Sequence, residues 1–316
     1  MIITDLHGDW DAYRRYRDRF VDLQAGGRAD YLIFTGDLIH AESSTAADHS
    51  LKIVLDVLTL QATYGQAIIY LCGNHELPHI YGFGLAKGAR EFTPAFEAAL
   101  SSGSDRSAVI GLLQSLPFYL RTAAGVSLTH AGAAPGLTDR QSARKLFTWD
   151  HLAQLAHVDS ILADQDMPTL RRAYAKLSGA ESYEVLAQYY LAVEGPDDPR
   201  YDDLLRGALV TTKTDFQLLY TALFTKCEQE YDLPKYSKML AGLLRHLSID
   251  YVPQRVLVAG HMNIRNKGYR IVTPRHLRLA SGIHATPRKA ARYLLFDTAQ
   301  PVADIEDLLA GLNTVY

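Results

Sequence analysis

Five short clusters hold the side chains of this 316-residue sequence best suited to chemistry. They are Asp5-Leu6-His7-Gly8-Asp9, Gly36-Asp37, Gly73-Asn74-His75-Glu76, His130-Ala131-Gly132 and Gly260-His261. Each supplies carboxylate, amide or imidazole donors, and most directly follow an apolar run that reads as a buried β-strand. Such a mixture suits divalent Mn, Fe or Zn. Two such ions need about eight protein ligand atoms, with one carboxylate bridging them. Asp5, His7, Asp37, Asn74, His130 and His261 could supply them in that chain order. A lone Asp-X-His carries little information, whereas five clusters in this order over most of the chain point to a dinuclear metal centre.

The elements that must position these residues alternate strand and helix at first. Residues 10–24 carry apolar and aromatic residues at helical spacing, ended by Gly26-Gly27. Tyr31–Phe34 reads as a strand delivering Asp37, residues 45–63 as a helix, and Ala67–Leu71 as a strand delivering Asn74 and His75. Residues 78–96 read as loop and short helix, 107–115 as a helix. Phe118–Leu120 with Val126–Thr129 reads as a hairpin ending at His130. From 141 to 246 the pattern turns helical throughout, broken at Gly195-Pro196-Asp197-Asp198-Pro199. This stretch reads as a helical insertion in a domain formed by residues 1–140 and 247–316. Its tyrosines (Tyr183, Tyr189, Tyr190, Tyr201) read as core packing. Arg255–Ala259 is a strand delivering His261. Tyr269–Val272, His276–Leu279 and Ala291–Phe296 read as further strands, and a short helix closes the chain. Strand, glycine-bearing turn, helix is the arrangement that puts functional groups at the carboxyl edge of a sheet. Gly8, Gly36, Gly73, Gly132 and Gly260 abut the donors, where the backbone must turn or approach another group closely.

Over IITDLHGDW, YLIFTGDLIH, IIYLCGNHELP, LQSLPFYLRTAAGVSLTHAG and RVLVAGHMN the sequence resembles the calcineurin-like metallophosphoesterase superfamily. Within it, the resemblance is to the branch holding phosphoprotein phosphatases and bacterial bis(nucleosyl)-tetraphosphatases. The resemblance implies an α/β fold, a central β-sandwich flanked by helices, here with a large α-helical insertion. It implies hydrolysis of a phosphate ester or anhydride by a metal-bridging hydroxide. Asp5, His7 and Asp37 would then hold the first ion, and Asp37, Asn74, His130 and His261 the second. His75 would be the general acid.

Two departures stand out. The family motif Gly-Asp-X-Val-Asp-Arg-Gly becomes Gly36-Asp37-Leu38-Ile39-His40-Ala41-Glu42, which removes both the carboxylate partner of His75 and the phosphate-clamping arginine. Glu42 or Glu76 could replace the first, and Arg90, Arg265 or Arg270 the second. Where many relatives carry Gly-His-X-His, this chain has Gly260-His261-Met262-Asn263. Asn263 or a water would complete the first ion, and the reading favours water.

The phosphorylated substrate stays open between a small phosphomonoester, a nucleotide such as a dinucleoside polyphosphate, and a phosphoprotein. The lost arginine speaks against a standard phosphoprotein phosphatase, and the insertion between His130 and His261 could cap the site. The alternative is a catalytically weak metal-binding scaffold whose helices bind a protein partner; the retained His75 favours the enzyme. Metal identity and oligomeric state are not legible. A net charge of −3 gives no reason to expect nucleic-acid binding. Cys72 and Cys227 cannot form a disulfide framework, and Cys72 reads as a buried thiol. No apolar run reaches membrane-spanning length, and the first motif begins at residue 5, leaving no room for a signal peptide. A cytoplasmic protein is the expectation.

Overall fold

The apolar runs that end in donor-bearing turns fold as strands of two five-stranded sheets. The computed structural model describes residues 1–42, 47–225 and 228–316. The chain divides into two units: Met1–Asn74, Leu116–Thr148 and Leu218–Tyr316 form the first, and His75–Ser115 and Trp149–Gln217 the second.

In the first unit one sheet runs Leu312–Asn313, Tyr293–Leu294, Ile2–Ile3, Leu32–Phe34, Ile68–Tyr70. The other runs Tyr269–Thr273, His276–Leu279, Val256–Ala259, Val126–Thr129, Tyr119–Arg121. Each has three neighbouring parallel strands with antiparallel strands added outside: two on one edge of the first sheet, one on each edge of the second. Parallel strands covered on both faces need continuous rather than alternating apolar sequence. Leu32–Phe34 and Val256–Ala259 are accordingly buried at every position. Ile2, Ile33 and Leu294 of one sheet share a core with Val126, Leu128, Val256, Val258, Leu277 and Leu279 of the other. The sheets therefore pack face to face as the expected sandwich. Each such side chain contributes roughly 1.5–3 kcal/mol when fully buried.

The helix after the first cluster spans Trp10–Ala25. Asp9 caps it by accepting from the Ala12 N–H at 3.0 Å, and Ala12, Tyr13, Tyr16, Phe20 and Leu23 form its buried face. The next helix is Ser50–Tyr64. The expected start at 45 is too early, because residues 47–49 are not helical and the Asp48 carboxylate accepts from the Ser50 N–H at 2.9 Å, while Thr45 and Ala46, like Cys227, lie outside the described residues. Cys72 is buried, as expected.

Within the second unit, Leu77–Tyr81, Thr93–Ser101, Arg106–Gln114, His151–Ala163, Met167–Leu177, Tyr183–Leu191 and Asp203–Thr212 are helical. Residues 78–96 hold more order than their glycines suggested, including a hairpin of Ala86–Lys87 with Arg90–Glu91. Tyr183 and Tyr201 are core, but Tyr189 is 53% exposed and Tyr190 donates to Glu91 Oε1 at 3.0 Å, so the tyrosine-rich stretch is only half core. The helices Arg140–Phe147 and Leu233–Leu247 belong to the first unit. The strand Leu312–Asn313 was not legible as one, and Ala291–Phe296 is a strand only at Tyr293–Leu294. Among the described residues no helix is long and apolar enough to cross a membrane.

Candidate metal centre

Parallel strands align their carboxyl ends, and here those ends deliver the donors. Ile2–Ile3 leads to Asp5 and His7, Leu32–Phe34 to Asp37, Ile68–Tyr70 to Asn74, Val126–Thr129 to His130 and Val256–Ala259 to His261. Asp5, His7, Asp37 and His261 all have positive φ, at 34°, 47°, 54° and 69°. That costs on the order of 1–2 kcal/mol for each such residue, so surrounding bonds must impose it. The Leu6 and His7 N–H groups both donate to Asp37 O at 3.0 Å, and Gly260 N–H to His130 O at 3.1 Å. The His261 N–H lies 2.9 Å from both carboxylate oxygens of Asp5.

His130 anchors one cluster. Its Nδ1 donates to Thr35 O at 3.0 Å, which in the neutral imidazole leaves Nε2 as a lone pair. That lone pair faces Asn74 Oδ1 and His261 Nδ1, each at 3.0 Å, and Asp37 Oδ2 at 3.3 Å. An unprotonated nitrogen, an amide oxygen and a carboxylate oxygen in one buried spot repel one another unless a cation lies between them. Donor atoms each about 2.1 Å from one ion lie roughly 3–4 Å apart, so this cluster fits a divalent metal. Burial, then the neighbouring His130, holds the His261 pKa well below its ordinary value, in the neutral state a ligand requires.

The second cluster surrounds His7. Its Nδ1 donates to His40 O at 3.2 Å, and its Nε2 lies 3.8 Å from Asp37 Oδ2 and 4.0 Å from Glu42 Oε1. Position 40 thus serves the site through its backbone carbonyl. Burial, then His284, lowers the His7 pKa. Asp5, His7 and His284 place one donor atom each within 4.8 Å of one another. The 3.8 Å between His7 Nε2 and Asp37 Oδ2 falls within the separation one ion allows, with Asp37 between the two clusters.

His284 was not among the residues singled out from sequence. Its Nδ1 is 3.6 Å from Asp5 Oδ1, and its Nε2 is 3.3 Å from Glu42 Oε1. Burial lowers the His284 pKa, but the Glu42 hydrogen bond and the Asp5 charge outweigh it and leave the pKa raised. Asn263, the less favoured alternative to water at this end of the centre in the sequence reading, is exposed. The loop holding His284 is tied to the Asp5 strand by Thr4 N–H donating to Ser281 Oγ at 3.0 Å and Ser281 N–H to Thr4 Oγ1 at 3.3 Å. At Gly282 a Cβ would lie 2.5 Å from Asp5 O, so only glycine permits the approach.

Of the three candidate clamp arginines, Arg270 forms an ion pair with Glu228, and Arg265 is exposed on the two-residue strand Ile264–Arg265. His75 and Arg90 belong to the second unit. There they share the Phe92 ring, His75 edge-on at 4.9 Å and the Arg90 guanidinium at 5.3 Å. A further residue escaped sequence reasoning: Arg278, wholly buried, donates to Gly260 O at 2.7 Å and from Nη2 to Glu228 Oε2 at 2.6 Å. Burial disfavours the Glu228 carboxylate, yet Arg278 overrides that and pulls its pKa down to about 2. This pair sets the turn that carries His261.

A cleft of about 470 Å³ opens beside the His7 cluster, lined by His7, Glu42, Ala41, Trp10, Ile283 and Arg288. A larger one of about 840 Å³, lined by Tyr119, Arg121, Arg144, Phe147 and His246, touches none of the candidate ligands. The first is the one relevant to chemistry at these donors.

No curated protein sequence matches this chain. Among solved structures it is similar to a cold-active protein tyrosine phosphatase, 14% identical, covering 93% of this chain and 72% of that one, with a TM-score of 0.48. It is also similar to a protein serine/threonine phosphatase from Saccharomyces cerevisiae with similarity to human phosphatase PP5. That one is 12% identical, covering 89% of this chain and 66% of that one, with a TM-score of 0.43. The family model for calcineurin-like phosphoesterase matches residues 1–206 of the 316, the stretch holding Asp5, His7, Asp37, Asn74, His75 and His130. With most of the chain matched, and donors at the strand ends of a sandwich, this protein belongs to the calcineurin-like phosphoesterase family.

Proposed function

We propose that this metal-dependent phosphoesterase is dinuclear and hydrolyses a phosphate ester or anhydride. The first ion would be held by Asp5, His7 and Asp37, and the second by Asp37, Asn74, His130 and His261. The observation that carries this reading is the convergence of Asn74 Oδ1, His261 Nδ1 and Asp37 Oδ2 on His130 Nε2 at 3.0, 3.0 and 3.3 Å. Two bound divalent cations supply Lewis acidity toward phosphoryl oxygens and a water that ionises near neutral pH.

The protein's own groups do the rest. Asp37 would be the carboxylate shared by the two ions, a role supported by its Oδ2 lying 3.3 Å from His130 Nε2 and 3.8 Å from His7 Nε2. Thr35 O and His40 O fix the tautomers of His130 and His7, so each presents Nε2 as a donor pair. His75, which follows Asn74 directly, is the proposed general acid, delivering a proton to the departing oxygen. Arg90, which shares the Phe92 ring with His75, is the proposed clamp arginine. The cleft of Trp10, Ile283 and Arg288 offers room for a leaving group. The residues leave small phosphomonoesters, nucleotides and phosphoproteins all open as substrates. The weakly catalytic scaffold is not favoured.

The test is hydrolysis of para-nitrophenyl phosphate and bis-para-nitrophenyl phosphate by metal-stripped protein with Mn, Fe, Zn, Ni or Mg restored. Metal-dependent turnover, abolished in Asp37→Asn, is the expected result. Undiminished turnover in Asp37→Asn would refute the ligand assignment.

A further inference from the structure

We infer that His284 is an additional ligand of the first metal site, binding through Nδ1, and that Glu42 is the carboxylate that orients it. This rests on the dinuclear reading and goes beyond it, because it completes the first site with a residue from a different loop than the Gly-His-X-His turn.

Three observations converge. His284 is 4% exposed, and its Nδ1 has no hydrogen-bond partner among the described residues. A buried imidazole nitrogen in that condition carries a desolvation cost that a metal bond would remove. That same Nδ1 lies 3.6 Å from Asp5 Oδ1, and the two form one group with the donor atom of His7, all within 4.8 Å. Finally, the opposite ring nitrogen, Nε2, meets Glu42 Oε1 at 3.3 Å. With Nε2 protonated and donating to that carboxylate, the Nδ1 lone pair points at Asp5 and His7. This carboxylate–histidine–metal arrangement fixes the tautomer and raises the basicity of the ligand.

The same geometry explains the departure at Glu42. Where the family motif has glycine, this chain has a carboxylate whose oxygen is 3.3 Å from His284 Nε2 and 4.0 Å from His7 Nε2. Asn263 is exposed, and the turn at Gly260-His261 supplies one ligand rather than two. Glu42 and His284 therefore act together: the first is a positioning residue, the second a ligand.

Metal stoichiometry tests this independently of turnover. Metal-stripped wild type, His284→Ala, Glu42→Gln and Asn263→Ala are titrated with Mn(II). Bound metal is measured after gel filtration, and electron paramagnetic resonance separates coupled ion pairs from isolated Mn(II). Wild type should bind two ions and show the coupled signal. His284→Ala should retain one ion with an isolated signal, and Glu42→Gln should lose about 10–100-fold in first-site affinity. Asn263→Ala should match wild type. Two ions bound with wild-type affinity in His284→Ala would overturn the inference, as would loss of the first ion in Asn263→Ala alone. Should His284→Ala fail to fold by circular dichroism, Glu42→Gln decides, and wild-type affinity there overturns it. A wild type that never binds a second ion would instead overturn the dinuclear reading itself.

Discussion

Replacing Gly260 with alanine should damage the first half of the centre without altering any candidate ligand. A Cβ at position 260 would lie 2.0 Å from Asp5 Oδ2 and 2.8 Å from Thr4 Cβ. Carbon–oxygen contacts settle at roughly 3.3 Å, so the carboxylate must move by about 1.3 Å, and Thr4 blocks the methyl from retreating. Asp5 is also held by the His261 N–H at 2.9 Å, so its displacement disturbs the next candidate ligand as well. A shift of about 1 Å in a catalytic arrangement costs on the order of 10²-fold, and overpacking costs about 1–3 kcal/mol of stability. The expected outcome is a loss of about 10²-fold in kcat/KM toward para-nitrophenyl phosphate, with weaker binding of the first Mn(II). Thermal melts of the metal-free protein should show the stability loss. Gly111→Ala serves as control: nothing lies within 4 Å of its Cβ position in the helix Arg106–Gln114. That change should stabilise by about 0.5–1 kcal/mol. Unchanged kcat/KM and Mn(II) affinity in Gly260→Ala would refute the placement of Asp5 as a ligand beside this turn.

Further predictions concern the buried charges. Glu228→Gln removes the carboxylate that accepts from the wholly buried Arg278 guanidinium and should cost about 3–5 kcal/mol, read from chemical denaturation. The Glu228 pKa is lowered from 4.5 to about 2, so its contribution is present above the unfolded carboxylate value and lost as pH falls through that window. Wild-type stability should drop between those pH values, and the Gln variant should show a shallower slope; equal slopes would count against the pair. In the second unit, burial lowers the His151 pKa from 6.5 to about 4, with the ring against Tyr81 OH at 2.6 Å. Here the unfolded chain takes up the proton first, so stability should fall by roughly 3 kcal/mol as pH drops between those values. A His151→Gln protein that keeps the full slope would show that another group titrates.

Much of the centre was legible because it is local. Each donor sits within a few residues of an apolar run, and a run such as Val256–Ala259 reads as a buried strand whichever sheet it joins. The chain order Asp, His, Asp, Asn, His, His therefore points to a candidate metal-binding pattern before any contact is known. The helix Trp10–Ala25 was equally readable, since its cap at Asp9 and its apolar face depend on neighbours along the chain. The short pairings were less so. Leu312–Asn313 is a strand only because it meets Tyr293–Leu294, and two residues carry no period.

His284 and Arg278 belong to the same class as those pairings. A histidine in the stretch Ser-Gly-Ile-His-Ala carries no ligand signature, and an arginine among apolar strand residues reads as a surface side chain. What assigns each of them a place is a contact across more than two hundred residues for Asp5 with His284, and fifty for Glu228 with Arg278. From the sequence alone came the donors, their order and the strands that end at them, because these rest on side-chain type and local periodicity. Only the tertiary structure decided which loop meets Asp5 and which buried cation braces the His261 turn, because both follow from how two separate sheets pack and from a glycine at position 282 that lets two backbones touch.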